Sequence, residues 1–308
     1  MNRDILIGMG GWSLPAFDGP FYPAEQPKGF RKLEYYSRFF DLVEVNATFY
    51  TTSLGPQQAR RWIREVEENK GFTFTVKLFQ GFTHKFNATQ GDVKAVKALL
   101  EPLAEAEKLG GLILQFPYSF IRTPENEAYL QKLSRTFESF ALFVEFRHDS
   151  WNSDEVFRFM KYNGLQLLNT DLPEIKHHMP FTNVASGDSA YYRLMGRNKA
   201  SWDKGGVTQR YNYFYSEEEL RDLLQRISQL KSTVRRAFVV FHNDPHAHSP
   251  VNGFQLKHMA KPATRVTAPS SLISAFPQLR AFCDPPTEPV TPRLVYRVSP
   301  MERRRKEQ

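Results

Sequence analysis

The 308-residue chain holds a single cysteine, Cys283, so no disulfide can form within it, as suits a reducing compartment. It contains no apolar run long enough to cross a bilayer, and the opening stretch MNRDILIGMGGW is too short for a signal peptide. A soluble, cytoplasmic protein without membrane contact is therefore expected. Strict metal-ligand spacing of the His-Glu-x-x-His kind is missing, and eight histidines are few for a multi-metal centre. Acidic excess is missing as well. The formal charge is +8, and seven Lys or Arg against four Asp or Glu from Thr267 onward leave roughly +3 of it in the last stretch. A body this mildly basic is compatible with nucleic acid, an anionic small substrate or simple solubility.

What the chain does have is a rhythm of eight strand-like apolar runs, with helix-length spacers between them. The runs are Ile5 to Trp12, Leu42 to Tyr50, Phe72 to Phe79, Leu112 to Pro117, Phe140 to His148, Leu165 to Leu172, Ala190 to Gly196 and Ala237 to Asp244. Strands buried on both faces must be nearly all apolar, so these runs read as a parallel sheet. Eight such units predict an α/β fold, a single closed (β/α)8 barrel over 4–265, followed by a Pro-rich, basic extension over 266–308. Composition predicts partial disorder in that extension.

The spacers carry helical signatures. Phe30 to Phe40 and Asp92 to Leu109 show apolar stripes at helical spacing, and Ser216 before three glutamates reads as an N-cap with acids in the first turn. Helices are also expected over Gln57 to Glu68, Pro124 to Phe137, Asp154 to Tyr162 and Glu217 to Lys231. Two long loops, Pro15 to Lys28 and Arg197 to Tyr215, exceed what a minimal barrel needs and belong beside its mouth.

In a barrel of this type the loops at the carboxyl ends of the strands carry the chemistry. Polar residues gather at those ends: Glu44 and Asn46, Lys77 and Gln80, Gln115, Glu145 with Arg147 and His148, Asn169 and Asp171, Arg193, and Asn243 with Asp244. Alternation along a strand puts Glu44 on one face with Asn46, and Glu145 with Arg147.

The blocks GMGGWSLPAFDGPFYP, FFDLVEVNATFY, FTFTVKLFQGFTH, LILQFPYSF, FVEFRHDSW, YYRLMGR with YNYFYS, and FVVFHND followed by Asn252 resemble the YecE-like proteins, domain-of-unknown-function family 72. The resemblance spans about Ile5 to Ala263 and implies a TIM barrel without a settled activity. It also implies a shape similar to metal-dependent barrels such as class II apurinic endonucleases. Two positions depart from the pattern: Met195 stands where a His is expected, and Asn243-Asp244 where an Asn-Asn pair is equally familiar.

Several constellations follow from the residues. Glu44, Glu145 and Asp171 offer the carboxylates that acid-base work requires, with Glu145 and Glu44 as acid and base and His84 as a reserve proton carrier. The alternative is that these acids pair with Arg147, Arg193 or Lys77 to neutralise a polar barrel end. Arg147 and Arg193 are fitted to clamp an anionic group, Arg197 and the glycines near it add a softer anion signal, and Asn46, Gln115 and Asn243 can orient hydroxyls. Lys77 reads chiefly as an ion-pair partner of Glu44 or Glu145, and less readily as an imine-forming amine. Trp12 and Tyr50 can stack a sugar or base. Asp244 with His246 and His248 could join a divalent metal, but the site expected here contains no metal and no cofactor. The reading that results is an enzyme, a hydrolase, lyase or isomerase, acting on an anionic or polyhydroxylated substrate at the mouth. The alternative is a nucleic-acid-binding or nuclease-like barrel.

Overall fold

The computed structural model describes residues 4–202 and 206–287. Strands β1 (Asp4–Met9), β2 (Leu42–Val45), β3 (Thr73–Lys77), β4 (Leu109–Gln115), β5 (Leu142–Glu145), β6 (Leu165–Asp171), β7 (Ser189–Leu194) and β8 (Arg236–Phe241) pair in parallel in chain order, and β8 closes on β1. The helices are α1 (Lys32–Ser37), α2 (Pro56–Glu65), α3 (Gln80–Thr83), α4 (Gln90–Glu105), α5 (Pro124–Thr136), α6 (Asp154–Tyr162), α7 (Lys199–Trp202), α8 (Val207–Arg210), α9 (Glu217–Gln229), α10 (His248–Ala260) and α11 (Ser270–Ala275). The fold is the (β/α)8 TIM barrel. None of the helices is long and apolar enough to cross a membrane.

Helix starts follow local chemistry. Ser216 caps α9 by accepting from Glu219 N while the Glu219 side chain bonds back to Ser216 N, and Thr89 with Asp92 does the same for α4. Helix α10 shows no clean apolar stripe because it is buried nearly all round from Ser249 to Leu256. Its place in the sequence rhythm is therefore hard to see.

The barrel interior is apolar in the middle and ionic at the top. Leu42, Ile113, Phe143, Leu168, Tyr191, Phe238 and Val240 form a closed cluster inside the ring, with the Phe143, Tyr191 and Phe238 rings in mutual contact. Two residues further along each strand, the same inner face carries Glu44, Gln115, Glu145, Thr170, Arg193 and His242. The sequence runs extend past the observed strands at this end. After β2 the chain enters a 3-10 turn at Ala47–Phe49, and soon after β3 it enters α3, so Asn46, Tyr50 and His84 sit on turns rather than on the ladder.

Strand β1 contributes glycines to the inner face. A Cβ on Gly8 would lie 1.8 Å from the Leu42 carbonyl oxygen, and one on Gly10 would lie 2.1 Å from His242 Cε1. The first is set by the close approach of β1 to β2, and the second leaves room for an imidazole at the mouth.

Residues 266–287, the first part of the extension for which composition predicts partial disorder, carry defined structure. β9 (Val266–Thr267) pairs in parallel with β10 (Cys283–Asp284), while Leu272, Ile273, Leu279 and Cys283 are buried. Four apolar side chains with a place to pack outweigh the prolines. The disorder expected further on, over 288–308, lies outside the described residues.

Because the Gly8 clash is with backbone, relaxation is costly. Gly8→Ala is expected to lower stability by about 2 kcal/mol or more, read as a reduced urea midpoint at unchanged m-value; a wild-type midpoint would contradict this tight strand spacing.

Candidate functional site

At the mouth, Arg193 of β7 stands between two fully buried carboxylates. Its Nη2 donates to Glu44 Oε1 of β2 at 2.5 Å, its Nη1 donates to Glu145 Oε2 of β5, and its Nε donates to His242 Nε2 at 3.0 Å. Tyr191 OH donates to Glu44 Oε2 at 2.9 Å and meets Thr75 Oγ1, also at 2.9 Å. Arg147 Nη2 reaches Glu145 Oε1 at 2.5 Å. The three groups that sequence placed on separate strands are therefore brought together.

Burial would push both carboxyls up, but the opposing cations prevail. Arg193, His242 and Lys77 hold Glu44 well below the usual carboxylate range, and Arg147, Arg193 and Lys77 lower Glu145. Burial alone would lower the Arg193 guanidinium, and the two glutamates raise it instead. Both acids are thus ionised near neutrality, and neither has a proton to donate. Arg193, with every nitrogen engaged, is not a free anion clamp.

Lys77 does not form the ion pair expected of it. Its Nζ lies 4.0 Å from the centroid of the Phe49 ring and makes no hydrogen bond or ion pair among the described residues. Burial and the nearby Arg193 lower its pKa, Glu145 and Glu44 oppose this, Arg147 adds to it, and the result is about 7. The Phe49 ring, like the two glutamates, favours the ammonium, and burial with the guanidinium charges acts against it. His84, edge-on to Phe49 at 4.9 Å and bonded through Nδ1 to Thr83 Oγ1 at 2.9 Å, is lowered to about 4 by burial, Lys77 and Arg147. It is a neutral imidazole at pH 7.

Other candidates lie elsewhere or are already engaged. Asp171 faces away from the barrel interior, where Arg197 Nε meets its carboxylate at 2.9 Å and Tyr215 OH donates to it at 2.8 Å; burial nevertheless raises its pKa. Arg197 also reaches Glu219 at 3.1 Å, so these two residues anchor the loop after β7. Asn243 points outward and donates to Tyr213 O and Asn252 Oδ1. Gln115 donates to Phe116 O, and Asn46 to Gly10 O at 2.8 Å. Trp12 packs edge-on against Trp62, while Tyr50 is 72% exposed. Asp244 accepts from Ser249 Oγ at 2.6 Å, and its pKa is raised by burial. Among the described residues, no group of three or more His, Cys, Asp or Glu side chains is placed to hold a metal ion.

Two participants escaped sequence reasoning, Tyr191 and His242. The signal was present, since counting by twos from Phe238 and Val240 places His242 on the inner face. Met195, where the resemblance expected a His, is buried with Leu172 and Trp202. Among the described residues, five of the six exposed large apolar side chains, Tyr50, Phe86, Tyr118, Ile121 and Phe214, stand on loops at the mouth end. A separate cleft of about 560 Å³ opens beside Asp171, Arg197 and Arg226, away from the Glu44–Arg193 cluster.

The lowered carboxyls set a pH dependence. Between the folded and unfolded pKa values the unfolded chain binds more protons, so stability rises with pH, levels off above about pH 4.5 and is lost in acid. Arg193→Met is expected to cost about 3–5 kcal/mol at pH 7. Glu145 keeps Arg147, but Glu44 loses its largest counter-charge and burial then raises it, so the variant should regain stability as pH falls from about 7 toward 5. Urea midpoints across that range provide the check, and an unchanged pH slope would contradict the assignment.

The family described as Protein of unknown function DUF72 matches residues 6–274. The UPF0759 protein YunF of Bacillus subtilis is 32% identical over 272 residues, covering 82% of this chain and 93% of that protein. A DUF72 family protein of Thermotoga maritima superposes with a TM-score of 0.72 at 30% identity, covering 83% of this chain and 99% of that one. One of Enterococcus faecalis gives 0.72 at 24% identity over 83% and 94%, a likeness of fold. With the strand-end blocks in the same order along one closed barrel, the chain belongs to the DUF72 family, the YecE-like proteins.

Proposed function

We propose that the barrel mouth binds a small anionic substrate and carries out proton-transfer chemistry on it, with Arg147 and Lys77 holding the anion and Lys77 carrying the proton. One observation supports this above the rest: Lys77 is a cation-forming group in the mouth with no acid of its own. Arg193 is already matched by Glu44 and Glu145, while Arg147 shares Glu145 and keeps a buried Nε without a partner. Thr170 Oγ1 is likewise buried without a hydrogen bond. Each such atom costs about 1–3 kcal/mol until something pairs with it.

An anion is favoured over a polyhydroxylated ligand because the amides suited to orient hydroxyls, those of Gln115 and Asn243, donate to protein acceptors instead. Proton transfer falls to Lys77 because Glu44 and Glu145 stay ionised and His84 stays neutral. An arriving anion favours the ammonium, so binding takes up a proton; a reacting group can then draw on it.

Oxalate binding followed by calorimetry, in buffers of different ionisation enthalpy, tests this. At about pH 8, above the Lys77 value, up to about one proton should be taken up per anion. Lys77→Met should abolish the uptake, and Arg147→Met should weaken binding by about tenfold or more while retaining it. Absence of saturable binding, or uptake that persists in Lys77→Met, would overturn the reading.

The aromatic rim favours a second reading, in which a single-stranded nucleic acid lies across the mouth with bases stacked on Tyr50, Tyr118 or Phe214. Oligonucleotide binding should then fall steeply between low and moderate salt. Salt-independent binding would count against it.

A further inference from the structure

Burial lowers the pKa of three lysines of the described chain, Lys77, Lys108 and Lys257, and two of them have ordinary structural partners. Lys108 Nζ donates to the carbonyls of Asn69, Lys70 and Phe72, and Lys257 Nζ is bonded to Phe39 O and paired with Asp41 at 3.3 Å. Lys77 has neither carbonyl nor carboxylate on its nitrogen. It projects from the end of β3 on the same inner face as Thr75, with the Phe49 ring against it and the charges of Arg193, Arg147, Glu145 and Glu44 around it. An amine placed this way has a lone pair available and nothing engaging it. Both neighbouring cations are guanidiniums, which keep their protons and so stay positive.

We propose that Lys77 is a covalent nucleophile that forms an imine with the carbonyl carbon of a short oxo acid whose carboxylate pairs with Arg147. The proposal rests on the anion-binding reading and adds the substrate class. A dicarboxylate presents Lys77 with a second negative charge. An oxo acid instead presents an electrophile at the same place, with the single carboxylate left to Arg147.

The step balances without a co-reactant. The Nζ lone pair attacks the carbonyl carbon, a C–N bond forms, and the carbonyl π electrons move to oxygen, which takes a proton from the nitrogen. The carbinolamine then loses its hydroxyl with the second nitrogen proton as water, leaving a C=N bond between Lys77 and the substrate carbon. His84, a neutral imidazole packed on the same Phe49 ring as Lys77, is the nearby group assigned to relay these protons.

Glyoxylate, the smallest aldehyde of this class, is the probe, with sodium borohydride to reduce the imine and peptide mass spectrometry to locate it. At pH 7 the carboxymethyl adduct should form at Lys77 at least about tenfold faster than at any other lysine, because an amine of ordinary lysine pKa is almost wholly protonated there and the nitrogens of Lys108 and Lys257 are engaged by protein oxygens. Oxalate should slow it. Lys77→Met should give no adduct at that peptide while keeping the wild-type urea midpoint to within a small shift, and Arg147→Met should slow trapping about tenfold or more. Adducts spread over surface lysines without excess at Lys77 would overturn the proposal. If oxalate binding still depends on Lys77 while glyoxylate leaves it unlabelled, imine formation is wrong and anion binding stands. If neither occurs, both fail.

Discussion

A single guanidinium organises the mouth of this barrel. Arg193 joins Glu44 and Glu145, which come from strands on different sides of the ring, and its third nitrogen is bonded to His242. Removing two carboxylates and one guanidinium from water costs several kcal/mol per ion, which their mutual attraction offsets only when the geometry is good. A fully apolar plug would close this end of the barrel at least as stably. That an ion triad is there instead motivates a functional reading, and the triad constrains the chemistry open to the pocket. Both acids remain ionised, Arg193 is occupied, and any proton that moves near neutral pH must come from another group.

The mouth contains two polar systems that the sequence does not separate. The inner one lies on the barrel axis side, directly above the apolar cluster around Phe143, Tyr191 and Phe238. The outer one joins Asp171, Arg197, Glu219, Tyr213 and Tyr215, with Asn243 and Asn252 beside it. Its work is mechanical. Gly196, at φ +88°, donates its amide to Tyr215 OH at 2.8 Å and leaves room for Tyr213, so the chain after β7 folds back on the barrel. Charged residues close in sequence to the triad thus serve the loop, not the pocket.

Much of the architecture was legible in advance. Eight apolar runs became eight strands, Glu145 and Arg147 meet at the end of β5, and Ser216 capped its helix. Side-chain alternation, carried through β6 and β8, would have turned Asp171 and Asn243 outward and His242 inward. Strand ends were the weak point: the runs stay apolar past the ladder, where the chain has already turned into 3-10 or helical geometry. In the extension, proline content argued for disorder over a segment whose few apolar residues find a surface to cover.

The sequence by itself determined the closed parallel barrel and the end at which its polar groups collect, because buried strands need continuous apolar runs and side chains alternate with a period of two. Tertiary structure alone decided which cation answers which acid. Arg193 took both glutamates and Lys77 took none, since pairing across a barrel depends on Å-scale approach between strands about 50 to 150 residues apart, and no local pattern encodes that distance.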